Sequence, residues 1–193
     1  MAGPAAGLRQ WWERVRAKDP YWDAFLHRPP ADPQNVITAA MLPGPAGSVF
    51  PTQTEVHDTV AMSGHLKEFA TFVGASATGV SAVGPGPNGA APEYPFAVSC
   101  LVVAVEEVTE STGVGGQFAI QKCAVTNFNL AAYIRELGYE AVVHEDGAHT
   151  YAAAAGLGRL DPDGKLNSPR FGRRVGIAGV ILTNIPLKPD LSG

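Results

Sequence analysis

The chain has 193 residues, 46% hydrophobic and 17% charged, which is enough to bury the core of one domain and too apolar for an intrinsically disordered chain. Its 14 Lys and Arg against 18 Asp and Glu leave a formal charge of -4 with no basic stripe, which argues against nucleic acid as a partner. The 22 Gly and 16 Pro imply many turns and long loops between modest regular elements.

Residues 1–55 read as a short helix and a Pro- and aromatic-rich arm, ahead of a domain over 56–193. Trp11, Trp12, Tyr21, Trp22 and Phe25 precede Pro29, Pro30 and Pro33. Packed aromatic rings bury about 150–250 Å2 each, so the arm is expected to lie on its own domain or on a partner subunit. No continuous apolar stretch leads to a small-residue cleavage site; cytoplasmic residence is the expectation. Ser63 is placed to cap a helix that carries Leu66, Phe69, Ala70 and Val73 on one face and ends at Gly74. A strand over 77–83 and a turn-rich loop over 84–89 follow. The run 96–105 is apolar on both faces, as in a central strand covered by helices on both sides. It has half the roughly 20 residues of a membrane span, so no membrane partner is expected.

After a glycine loop over 113–116, Ile120, Ala124, Phe128, Ala131 and Ile134 keep helical spacing up to Gly138, with Arg135 set to complement the dipole in the last turn. A strand over 139–143, the polar loop 144–147, an alanine-rich helix to Ala155, a second loop to Phe171 and a closing strand over 174–185 complete the pattern. Helices alternating with strands without repeats indicate an α/β chain, built as an α+β sandwich with helices covering a central sheet.

The candidate chemistry is sparse. Cys100 and Cys123 are too few for an iron–sulfur cluster or a disulfide framework and read as buried free thiols. The polar patch His144, Glu145, Asp146 and His149 lacks the spacing of a zinc-protease helix; an acidic lead-in to a helix N-terminus and a ligand-contacting loop both remain open. Gly156 and Gly158 fail the dinucleotide fingerprint and follow a helix instead of opening one. Tyr94, Tyr133, Tyr139 and Tyr151 read first as core residues.

A resemblance carries the reading further. The stretch 154–175, with its Ala-Gly-Leu-Gly turn, Asp161-Pro162-Asp163-Gly164 and Ser168-Pro169-Arg170-Phe171-Gly172, closed by Thr183-Asn184-Ile185-Pro186-Leu187, resembles the cobalamin-binding domain of reductive dehalogenases and, more distantly, of epoxyqueuosine reductase. The helix-to-strand junction over 131–141 and the helix from His65 into Val73 are similar to that family as well. The resemblance spans roughly 62–190. It implies a nitroreductase-like fold, related to cobalamin-processing chaperones, that holds cobalamin at Gly156, Leu157, Gly158, Gly164, Ser168, Pro169, Phe171 and Gly172. Glycines there would let main chain approach a corrin and offer N–H groups to it.

The resemblance further implies a cobalamin-dependent reductase in which Arg174 stabilises developing negative charge and Asp146 or Tyr151 relays a proton. This sequence departs from the family in lacking the cysteine-rich iron–sulfur motifs, so electrons are expected from an external donor protein. Where the dehalogenases resemble one another in a tyrosine donor, it reads Gln117-Phe118-Ala119-Ile120. Asp146-Gly147-Ala148-His149 also lacks the spacing of the Asp-x-His-x-x-Gly motif that supplies a cobalt-ligating histidine. The alternatives are a non-catalytic cobalamin carrier, processing or sensing protein, and an FMN-binding oxidoreductase with Arg170, Arg173 and Arg174 near the phosphate. The substrate would be an unnamed small molecule. This class of fold often pairs subunits, so a homodimer is an arrangement the sequence admits.

Overall fold

The computed structural model describes residues 47–86, 92–104 and 114–190. The N-terminal arm up to residue 46 and the part of the turn-rich loop over 87–89 lie outside them. The elements are α1 (Thr59–Phe72), β1 (Ala77–Ala82), β2 (Phe96–Val103), α2 (Val114–Glu136), β3 (Ala141–His144), α3 (Ala148–Ala154), β4 (Arg159–Leu160), β5 (Leu166–Asn167), β6 (Val175–Gly176) and β7 (Val180–Thr183). The main sheet runs β1-β2-β7-β3, with β6 also paired to β2, and every pair is antiparallel. The fold is α+β.

β2 is central, as its sequence predicts, and the period-two alternation of a strand sorts its residues between two layers. Val98, Cys100 and Val102 face the larger core under α1 and α2, with Leu66, Leu130 and Ile134. Ala97 and Leu101 face the other way, toward Ala148 and Ala152 of α3. Small residues let α3 lie close to the sheet: a Cβ on Gly79 of β1 would stand 2.9 Å from the Ala155 carbonyl oxygen.

Several boundaries differ from the sequence reading for identifiable reasons. α1 is capped by Asp58, whose Oδ1 accepts the N–H groups of Val60 (2.8 Å) and Ala61 (3.1 Å). Ser63 is buried one turn later, where its Oγ accepts the Lys188 N–H at 2.8 Å. α2 already begins at Val114, so most of the expected glycine loop is helix. Arg135 reaches past the helix end and donates from Nη1 to the Ala141 carbonyl at 2.9 Å. The expected closing strand is two short ones, β6 and β7, broken at Gly179, which has φ +129° and leaves a Cβ only 2.9 Å from the His144 carbonyl oxygen.

Two flanking segments are tied down. Phe50 and Thr54 donate N–H groups to the Arg135 and Leu137 carbonyls (both 2.9 Å), and the Tyr139 hydroxyl donates to the Thr54 carbonyl at 2.7 Å. At the other end Asp190 docks along β1: its N–H bonds the Val80 carbonyl, its Oδ2 accepts the Val80 N–H (both 2.8 Å), and its Oδ1 pairs with Lys67.

Candidate cofactor and ligand site

A lobe built from residues 146–174 covers the α3 side of the sheet. α3 opens at Gly147, whose φ of +70° puts it in the left-handed region with no side-chain cap, and the Tyr151 ring lies 3.5 Å from where a Gly147 Cβ would stand. The helix stops at Gly156 (φ +74°), where the Gly156 and Leu157 N–H groups bond the carbonyls of Ala153 and Ala152. This is a glycine-terminated helix end of the usual kind.

The expected second loop contains the hairpin β4–β5. Its turn is organised by Asp161, whose Oδ1 accepts the N–H groups of Asp163 (3.0 Å) and Lys165 (2.8 Å) while its main chain pairs with Lys165. Such side-chain-to-backbone bonding is why Asp favours turns. Gly158 lies against the hairpin so closely that a Cβ would be 2.4 Å from the Asn167 carbonyl oxygen. Ser168 and Gly172 then exchange two main-chain hydrogen bonds, 2.9 and 2.7 Å, around Pro169, Arg170 and Phe171. The Arg170 guanidinium sits 5.0 Å over the Phe171 ring centroid.

Beside this lobe a cleft of about 140 Å3 is lined by Ile120 of α2, His149 of α3, Lys165, Leu166, Arg173, Val175 and Ile177. α2 can approach β6 because Gly176 has no side chain: a Cβ there would meet the Ala119 carbonyl carbon at 2.5 Å. His149 Nδ1 accepts the Leu166 N–H at 3.2 Å, so the neutral ring carries its proton on Nε2. Burial, and secondarily the Lys165 ammonium, push the His149 pKa down, against an opposing pull from Asp161. Arg173 Nη2 lies 3.4 Å from Asp161 Oδ2 and 3.7 Å from Asp163 Oδ2.

The nominated cofactor residues thus fall in one lobe, but the fold itself employs several of them. Gly156 ends α3, Gly158 admits the hairpin, and Leu157 and Phe171 pack against the small core around Leu101 and Leu166. The N–H groups of Gly156, Leu157, Gly164, Ser168 and Gly172 all have main-chain partners. Gly164 (φ +73°) and Gly172 (φ +61°) stand at open positions, with nothing within 4 Å of an added Cβ.

The nominated catalytic residues are dispersed. Exposed Asp146 and half-buried Tyr151 lie at the start of α3, whereas exposed Arg174 bonds through its main chain to Ala104 and Phe171 beside the far end of β2. No hydrogen bond or ion pair among the described residues joins Arg174 to the other two. His149, Lys165 and Arg173, which do converge, come from separate elements, and no sequence spacing announces them. Burial pushes both thiols up, Cys123 to about 12, and among the described residues no group of three or more His, Cys, Asp or Glu is placed to hold a metal ion. Nor is any helix of those residues long and apolar enough to cross a membrane.

No protein-family model and no curated protein matches the sequence. The solved structures do supply relatives. The catabolic reductive dehalogenase NpRdhA, in complex with 3-bromo-4-hydroxybenzoic acid, is 25% identical with a TM-score of 0.63, the match covering 82% of this chain and 24% of that one. The chain shares its fold with reductive dehalogenases. A further reductive dehalogenase, whose dehalogenation is described as B12-dependent, is 26% identical with a TM-score of 0.61 over the same shares. Epoxyqueuosine reductase bound to a tRNA stem loop is a more distant structural neighbour, at 14% identity and a TM-score of 0.51, covering 68% of this chain and 47% of that one. This chain therefore spans about a quarter of the length of the reductive dehalogenases it matches.

Proposed function

We propose that this chain binds cobalamin and acts within a reductive-dehalogenase-like reductase that takes its electrons from an external donor. The observation that carries the reading is the shared fold over 82% of the chain with a B12-dependent dehalogenase. The lobe fits a flat macrocycle at its open main-chain faces, Gly164 and Gly172, where nothing lies within 4 Å of an added Cβ. The turn of Pro169 and Phe171 between Ser168 and Gly172 adds an apolar edge. With the Ser168 and Gly172 N–H groups paired to each other's carbonyls, contact would come from the side chains and the exposed main chain between them.

Cobalamin, when bound, supplies a cobalt centre able to pass electrons to a carbon–halogen or similar bond. The chain's own part is to hold the group, with Arg174 stabilising negative charge and Asp146 or Tyr151 supplying a proton. The distance in the fold between Arg174 and the other two favours a second reading, a non-catalytic cobalamin carrier, processing or sensing protein.

The test is an ultraviolet–visible spectrum after incubation with hydroxocobalamin, or separately with FMN, followed by desalting. Retained corrin supports the cofactor; retained FMN alone moves the protein to flavin chemistry; retention of neither removes the proposal. Reduction of the corrin-loaded protein with a panel of halogenated substrates then separates reductase from carrier. Gly172→Trp should abolish corrin retention at the cost of a strained left-handed backbone (φ +61°), with Gly172→Ala, which carries the same strain without the ring, as the control; undiminished retention in the Trp variant would count against this turn.

A further inference from the structure

The flank of α2 turned away from α1 carries an apolar stripe. α2 meets α1 through Thr126, whose hydroxyl donates to the Val73 carbonyl, and through Tyr133, stacked on Phe69. Helical periodicity sets Phe118, Val125, Phe128 and Ala132 on the other flank, in line with Arg135. Phe118 is 63% and Phe128 41% exposed, with half-buried Val125 between them. Two phenylalanine rings on one helix flank form a patch that a covering segment would take out of water. We propose that the cover is residues 39–46 of this same chain, lying extended along the stripe with Met41 and Leu42 on the two rings.

The described chain leads there. Followed backwards, the Thr54 N–H bonds the Leu137 carbonyl and the Phe50 N–H the Arg135 carbonyl. Gly47 then rests on the Arg135 side chain, where an added Cβ would stand 2.7 Å from Nε. Each step moves toward the N-terminus of α2, and helical side chains lean the same way. The residues before Gly47 therefore start at the C-terminal end of the stripe, headed along it. From Arg135 to Phe118 the helix rises about 26 Å, a length that about eight extended residues cover. Pro43 and Pro45 keep this stretch out of a helix, which brings Met41 and Leu42 level with the part of α2 between Phe128 and Phe118. Residues 39–46 carry no charge, as an apolar stripe requires. A segment tethered this closely is present at high effective concentration, which favours it over a second copy or another protein.

The inference is independent of any cofactor, and methionine makes it readable. The chain has three, Met1, Met41 and Met62, and Met62 packs against the main core. In a 13C-methyl methionine NMR spectrum of the full chain, the Met41 signal, assigned by its loss in Met41→Leu, should lie upfield of its random-coil position through the phenylalanine ring currents, at every protein concentration. Phe118→Ala combined with Phe128→Ala should return it to the random-coil position while Met62 keeps its folded shift, and Leu42→Asp should do the same without touching α2. Phe72→Ala, which removes an 86% exposed ring from α1, should move neither signal. A random-coil Met41 in the unaltered chain, a Met41 shift that ignores Phe118 and Phe128, or one that answers to Phe72 would overturn the proposal. So would a displacement that grows with protein concentration, because a second copy would then supply the segment.

Discussion

A methyl group added at Gly158 would stand 2.4 Å from the Asn167 carbonyl oxygen, while one at Gly164 would meet nothing within 4 Å. Two glycines of one lobe are thus needed for different reasons. Gly158→Ala forces main chain apart and should cost about 3 kcal/mol, the upper part of the overpacking range. Gly164→Ala pays only for a left-handed backbone, about 1 kcal/mol. Urea unfolding midpoints measure both, and equal losses would contradict the packing argument. His149 offers a prediction with a sign. Its folded-state pKa lies below the ordinary value of about 6.5 because burial, and then Lys165, disfavour the charged ring. The unfolded chain therefore binds more protons in that window, and stability falls as pH drops through about 6.5 until the folded-state value is passed. His149→Asn should flatten this part of a plot of unfolding free energy against pH; an unchanged slope would show that another group sets it.

At the scale of elements, α1 shows both what sequence patterning reveals and what it misses. Leu66 and Ala70 are fully buried as their spacing predicts, and Gly74 ends the helix at φ +117°. The cap, however, is Asp58. Ser63 and Asp58 are both good capping residues, and the choice between them turns on Lys188, 125 residues away from Ser63, whose N–H takes the Ser63 hydroxyl. Asp58→Ala should cost about 1 kcal/mol, read as a lower thermal midpoint with the helical circular dichroism otherwise kept. β2 was legible because neither face could bear a charge. The closing segment looks like a single strand in the sequence because Val175, Gly176, Val180 and Ile181 carry one continuous apolar signal, and only the contact of Gly179 with His144 reveals the break. The hairpin β4–β5 has two residues per strand, too few to show alternation, so the sequence shows only a loop there.

For the whole molecule, a resemblance in ordered segments located the fold, while the converging side chains stayed hidden. Gly156 and Gly172 are visible because glycine is a backbone signal that persists in a linear string. His149, Lys165 and Arg173 meet only after α3, the hairpin and β6 have packed on α2 through Gly176, so no local spacing encodes them. β2 is covered by helices on both faces, as its apolar run predicts, and in an antiparallel sheet this is possible because α3 is small enough in its side chains to seal the second face.

The docking of Asp190 on Val80 bears on the behaviour of many molecules together. Among the described residues β1 is an outer strand of the sheet, and an outer strand with free N–H and C=O groups invites another chain to pair with it. Here one residue occupies both groups of Val80, at 2.8 Å each, and anchors itself through Lys67. Replacing Asp190 with Pro would free that edge by removing both the donor and the carboxylate. The expected outcome is concentration-dependent self-association by light scattering, with little change in the secondary structure of the single chain.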